Sequence, residues 1–245
     1  MPKLQNLLEY NMCENDCNAA VPVVVVAAGS SQRMGGIDKQ LTLLNSVPVI
    51  IRTLKAFENS PYISKIIVVT KQESILPIQQ LCEKYMITKI SDIVLGGKDR
   101  HESVLNGLEL LSCDEDKVLV HDGARPLVSS EIIKGSVLAL EEADCIVCAI
   151  KVNDTVKKAD GKGCVEKTVD RTDLYCAQTP QGFNVGLYKK ASAAAGDKSV
   201  FTDDASVMES AGYTVKIVGG SPYNIKITTR QDIKLAELYL GGEMV

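Results

Sequence analysis

The stretch Ala27-Ala28-Gly29-Ser30-Ser31-Gln32-Arg33-Met34-Gly35-Gly36, with Lys39 close behind, combines small residues with two cations. Small side chains let backbone N–H groups approach phosphate oxygens, while Arg33 and Lys39 supply positive charge. The spacing is neither G-x-G-x-x-G nor G-x-x-x-x-G-K-[ST], so this is not a dinucleotide fingerprint and not an ordinary P-loop. A second polar cluster is His121-Asp122-Gly123-Ala124-Arg125-Pro126. By residue type alone Asp122 suits a helix cap as well as a ligand contact, and Arg125 a surface pair as well as a site wall. His121 reads as a packed, hydrogen-bonded strand residue. The chain has only two histidines, His101 and His121, and so provides little for a zinc cluster.

Eight cysteines are spaced irregularly over 245 residues, which reads as reduced thiols rather than a disulfide framework. Cys145 and Cys148 lie in an apolar run, where residues three apart on a strand point to opposite faces and cannot share a metal. Cys13 and Cys17, in the polar first segment, make a weak metal site at best. A net charge of −4 argues against a broadly basic nucleic-acid surface. No apolar run approaches the roughly 20 residues of a membrane span. Residues 1–20, with Glu9, Glu14 and Asp16, resemble no signal or transit peptide and read as a flexible extension. A cytoplasmic protein without nucleic-acid or membrane partners is expected.

The elements that must position these groups are written in the hydrophobic pattern. Residues 21–27 form a continuous apolar run, as in a strand buried on both faces. Val49, Ile50, Leu54 and Phe57 recur at helical spacing. Strands are expected at 65–70, 90–95, 117–121 and 145–150, and helices at 75–85, about 101–111 and 129–142. This βαβα alternation predicts a doubly wound, mostly parallel α/β sheet of Rossmann-like type. Residues 151–171 then alternate around Ala159-Asp160-Gly161-Lys162-Gly163, a turn signal that predicts a protruding β-hairpin arm over about 151–173. Helices near 185–195 and 203–211, a strand at 213–218 and a helix from about Gln231 complete one domain, residues 21–245.

The A-A-G-x-x-x-R-M-G run followed by a lysine resembles the signature of sugar-phosphate nucleotidyltransferases. Further motifs resemble those of one family, the 2-C-methyl-D-erythritol 4-phosphate cytidylyltransferases of the non-mevalonate isoprenoid pathway. They are Gly96-Gly97 with Arg100 and Ser103, the 121–126 cluster, Asp154-Thr155, Thr168-Val169-Asp170-Arg171, Thr179-Pro180-Gln181, Thr202-Asp203-Asp204-Ala205-Ser206 and Asn224-Ile225-Lys226.

The resemblance implies that CTP and methylerythritol phosphate give a cytidine diphosphate adduct and pyrophosphate, with Mg²⁺ as cofactor. It assigns Arg33 and Lys39 to the triphosphate and the transition state, and Lys226 to positive charge from the other side that helps position the acceptor. Ala27, Ala28, Gly29, Gly97 and Ser103 would select cytosine, Asp122 would contact ribose or acceptor, and Arg125 would shape the site. Thr155, Arg171 and Thr202 would bind the acceptor, with the arm serving as lid and homodimer contact. One departure is Lys98, where some family members carry an acidic residue after the second glycine. Ribitol-5-phosphate cytidylyltransferases share this fold and chemistry but take another acceptor; residues 168–171 and 201–206 look more like the methylerythritol enzymes. A non-catalytic nucleotide-binding module is the reading from another class, against which the joint presence of Arg33, Lys39 and Lys226 speaks.

Overall fold

The computed structural model describes residues 20–29, 38–113, 115–195 and 201–241. Strand β1 (Val21–Val26) is buried along its whole length because its alternating side chains feed two cores. Val23 and Val25 join a cluster with Ile50, Leu54 and Phe57, whereas Val24 and Val26 join one with Val104, Leu108 and Tyr188. A strand covered on both faces has no polar positions, hence its unbroken apolar run.

The order continues with β2 (Leu43–Leu44), β3 (Val47–Pro48), α1 (Val49–Glu58), β4 (Ile63–Thr70), α2 (Gln72–Lys84), β5 (Ile90–Leu95) and α3 (Arg100–Leu108). Then come β6 (Lys117–Asp122), α4 (Ser130–Glu141), β7 (Cys145–Lys151), β8 (Lys157–Ala159), β9 (Val165–Thr168) and β10 (Tyr175–Asn184). The chain closes with α5 (Val185–Ala194), α6 (Asp204–Ser210), β11 (Lys216–Gly219) and α7 (Arg230–Gly241).

Seven strands of the described residues form one sheet in the order β11-β7-β10-β6-β1-β4-β5. Every neighbouring pair is parallel except those made by β10, which runs antiparallel to both β6 and β7. Residues of α1, α2 and α4 pack in one core, and those of α3, α5 and α6 in the other, so the sheet is doubly wound. Connections from β1 lead first towards β4 and later to β6 on its other side. The crevice at the carboxyl ends of β1 and β6 is therefore the topological switch point, where such sheets bind ligands.

Strand β10 has no counterpart in the sequence reading. Its residues Gln178, Thr179, Pro180 and Gln181 break both alternation and apolarity, and a proline argues against a central strand. The structure accommodates Pro180 where the β10–β7 register shifts, between Ala177 and Gln181. The helix expected over 101–111 ends at Leu108, and the strand expected from 213 starts at Lys216. The 151–171 segment forms a shorter ribbon than its alternation implies: β8 and β9 pair only with each other among the described residues, and all their residues are exposed.

Cys145 and Cys148 belong to different cores, and burial pushes their thiols up to about 12 and about 11. The expected extension, apart from Ala20, lies outside the described residues together with Cys13 and Cys17. Among the described residues no helix is long and apolar enough to cross a membrane.

Candidate active site

At the switch point lies a cavity of about 450 Å³, lined among others by Ala28, Gly29, Lys39, Gly97, Ser103, Asp122 and Lys226. These residues come from five segments far apart in sequence, and each is held by local chemistry. Asp38 anchors the turn that carries Lys39: its Oδ1 accepts from the Gln40 N–H at 2.9 Å and its Oδ2 from the Ser74 hydroxyl at 2.8 Å. Arg33 lies outside the described residues.

Opposite, Asp99 caps α3 by accepting from the Glu102 N–H at 2.8 Å. The Ser103 hydroxyl donates to the Asp99 carbonyl at 2.7 Å and accepts from the Gly97 N–H at 3.0 Å. Ser103 thus shapes the loop that presents Gly97. Gly96 permits the loop to press on the β1 end, since a Cβ there would sit 2.4 Å from Ala28 Cβ. Lys98 is an exposed lining residue, and its N–H donates to Glu102 Oε2 at 3.0 Å. Ala27 is buried beneath this wall.

Asp122, the last residue of β6, is nearly buried and gathers cations. Its Oδ2 lies 2.9 Å from Lys226 Nζ and 3.3 Å from Arg125 Nε, and its Oδ1 lies 3.6 Å from Arg100 Nε. Burial alone would raise its pKa. Lys226, Arg100 and Arg125 together outweigh that and hold the carboxyl well below the usual range. Asp122 is therefore neither a helix cap nor a proton donor at neutral pH; it fixes positive charge at the cavity floor. Arg125 is no surface pair either, because its Nη1 donates to the Asn224 carbonyl at 2.8 Å. Ile227 N–H donates to the Ala124 carbonyl at 2.8 Å, and Asn224 Nδ2 to the Thr179 carbonyl at 2.8 Å. The segment bearing Lys226 is thereby stitched to β6 and β10.

His121 is fully buried beside Phe57, 4.9 Å between ring centroids. Its Nε2 faces the Arg125 carbonyl at 3.2 Å and must donate, so Nδ1 accepts from the Thr179 hydroxyl at 3.0 Å. Burial lowers its pKa to about 4, leaving it neutral and structural. Thr155, Arg171 and Thr202 are exposed and do not line the cavity. Arg171 reaches across the base of the ribbon, donating from Nη1 to the Asn153 carbonyl.

Arg100 and Asp204 were given no individual role by sequence reasoning. Arg100 lines the cavity, and its Nη2 lies 2.7 Å from Asp204 Oδ2. They stood in the quoted motifs, but 104 positions separate them. Only the fold makes them a pair.

A Rossmann-like sheet whose switch point carries a glycine-walled, cation-rich cavity is that of a nucleotidyltransferase. The sequence matches the family model for 2-C-methyl-D-erythritol 4-phosphate cytidylyltransferase over residues 21–242. It is 42% identical to the protein of that name from Bacillus cereus (strain ATCC 10987 / NRS 248) over 221 residues, 89% of this chain and 96% of the relative. The corresponding protein from Halalkalibacterium halodurans is 40% identical over the same shares. Among solved structures, the 4-diphosphocytidyl-2C-methyl-D-erythritol synthase of Anaerococcus prevotii superposes with a TM-score of 0.78 at 32% identity, covering 91% of this chain and 98% of that one. The cytidylyltransferase of Thermus thermophilus gives 0.73 at 29% identity, covering 90% and 98%. The chain belongs to the 2-C-methyl-D-erythritol 4-phosphate cytidylyltransferase family, and it is an enzyme of the nucleotidyltransferase class.

Proposed function

We propose that the cavity joins CTP to 2-C-methyl-D-erythritol 4-phosphate, and that its own cations carry the chemistry. A phosphate oxygen of the acceptor attacks the α-phosphorus, a new P–O bond forms, and the bond to the β-phosphate breaks. Pyrophosphate leaves with the electron pair. The nucleophile is already largely dianionic at neutral pH, since a phosphate monoester loses its second proton near pH ~6. No base is needed, and among the described residues the cavity lining contains no histidine.

What remains is positioning and stabilising added negative charge. Lys39 and Lys226 line the cavity from two different segments, the observation that carries this reading. Arg33 joins them by family resemblance. The glycine-walled side formed by Ala28, Gly29 and Gly97 brings backbone groups close to a flat base, which supports cytosine selection there, with Ala27 beneath and Ser103 setting the loop. Arg125 supports the Lys226 segment.

Magnesium characteristically takes one or two carboxylates together with phosphate oxygens and water. Asp122 fits that mode as a lining carboxylate at the end of β6, whereas Asp99 is engaged as a helix cap. Asp122 and the triphosphate would hold the ion, which supplies charge neutralisation across the phosphates when bound.

The acceptor side is assigned to Thr155, Arg171 and Thr202, with the arm of a second copy covering the cavity in a homodimer. The exposed ribbon supports this, because a lone two-stranded ribbon is marginal without a covering partner. A cytoplasmic setting is supported by free, exposed Cys113, Cys164 and Cys176. An acceptor panel with CTP tests the substrate. Methylerythritol phosphate should far exceed ribitol 5-phosphate in kcat/KM, and the reverse order would reassign the acceptor.

A further inference from the structure

From the cavity wall at Asp122 and Arg100 a chain of polar groups runs inward, most of them buried. Arg100 spans two carboxylates, with Nη2 at 2.7 Å from Asp204 Oδ2 and Nε at 3.6 Å from Asp122 Oδ1. Asp204 is 1% exposed, and its other oxygen accepts from the Tyr188 hydroxyl at 3.2 Å. A carboxylate only accepts, so Tyr188 spends its single proton there. His101 Nδ1, 3.1 Å from the same hydroxyl oxygen, must then be the donor. On the ring's other side Nε2 meets the Ser192 hydroxyl at 2.8 Å. The chain thus reads Ser192, His101, Tyr188, Asp204, Arg100, Asp122 and ends on the carboxylate that grips Lys226.

The elements it joins give this chain a purpose. Asp204 opens α6 two residues after Thr202, and Tyr188 and Ser192 lie on α5. Arg100 opens α3, beside the Gly97 loop. Asp203 caps α6 and accepts at Oδ2 from Gln181 Nε2 at 3.0 Å, so β10 fixes the same corner. A planar guanidinium hydrogen-bonded to Asp204 and ion-paired with Asp122 holds the two carboxylates in a fixed relation, which a lysine point charge does not.

We propose that Arg100 is a positioning residue for the transfer. Held by Asp204 and the Tyr188–His101 pair behind it, it fixes the rotation of Asp122 and hence the place of the Lys226 ammonium, and it ties the Thr202 loop to the nucleotide side. The inference rests on the proposed roles of Asp122 and Lys226.

The test compares Arg100→Lys, Tyr188→Phe and their double variant, with kcat, acceptor KM, CTP dissociation constant and melting temperature measured for each. Arg100→Lys keeps the charge but loses the fork. Its kcat should fall about a hundredfold, the cost of a misplacement near 1 Å, with CTP binding and melting temperature close to the parent's. Tyr188→Phe should cost about tenfold in kcat, the worth of one hydrogen bond to a charged group. Because both act through one chain, the double variant should be no slower than Arg100→Lys alone.

Full kcat in Arg100→Lys, multiplying losses in the double variant, or losses that track melting temperature would each overturn the proposal. If Arg100→Lys does not fold, Tyr188→Phe decides, and an unchanged kcat there refutes the chain. Lys226→Ala, assayed alongside, separates the two claims. If it is harmless, the reading of the cavity fails; if it is damaging while Arg100→Lys is harmless, only the positioning role fails.

Discussion

At the residue scale the site is an arrangement of charge. Asp122 is surrounded by Lys226, Arg125 and Arg100 and holds them at the cavity floor. Lys39 approaches on a turn pinned by Asp38 and Ser74. On the proposed mechanism its charge matters most when the α-phosphorus is pentacoordinate. Lys39→Ala should therefore cost about 3–4 kcal/mol of transition-state stabilisation, two to three powers of ten in kcat. CTP should still bind measurably by calorimetry, whereas an effect on KM for CTP alone would remove Lys39 from the transition state. His121 serves stability instead. Its pKa is about 4 in the fold against 6.5 for the ordinary group, so the unfolded chain binds the extra proton between those values. Stability is then complete above pH 6.5 and falls as pH drops towards 4, by up to about 3 kcal/mol. Asp122 works in a lower window, losing its contribution only as pH falls below the normal carboxylate range. Urea denaturation across pH 4–7 should show the histidine slope, and a folded His121→Gln variant should have lost most of it.

Among the elements, close approach of α3 to the sheet is what brings the Gly97 loop and Arg100 over the end of β1. Gly107 allows it: a Cβ there would lie 2.6 Å from Val24 Cγ1 and 3.1 Å from Val69 Cγ2. Gly107→Ala should destabilise the fold by about 1–3 kcal/mol, as overpacking does, read as a lower urea midpoint. An unchanged midpoint would mean that α3 has room to shift. The parallel strands were legible because burial on both faces demands unbroken apolar runs such as Val21–Val26. Strand β10 was not, since Thr179 and Gln181 serve contacts to His121 and Asp203 rather than a period of two. The same limit applies to the site. Lys39, Gly97, Asp122 and Lys226 were readable from motifs and share one cavity. The Arg100–Asp204 pair depends on α3 and α6 meeting, which no local pattern encodes.

For the whole molecule, the exposed ribbon β8–β9 and the exposure of Thr155, Arg171 and Thr202 fit the proposed homodimer, in which one copy's arm completes its partner's cavity. Mixing the impaired variants Lys39→Ala and Arg171→Ala under conditions of subunit exchange tests this. Delivery in trans leaves one heterodimer site with both groups intact, so activity should return. Activity no higher than either parent, with exchange confirmed separately, would place Arg171 in its own site. The central claim is cytidylyl transfer by the switch-point cavity, and pyrophosphate release from CTP in the presence of methylerythritol phosphate measures it most directly. The account predicts one pyrophosphate per cytidine diphosphate adduct, dependent on both substrates and much faster with CTP than with ATP. Binding of CTP without pyrophosphate release, or equal kcat/KM for CTP and ATP, would contradict it.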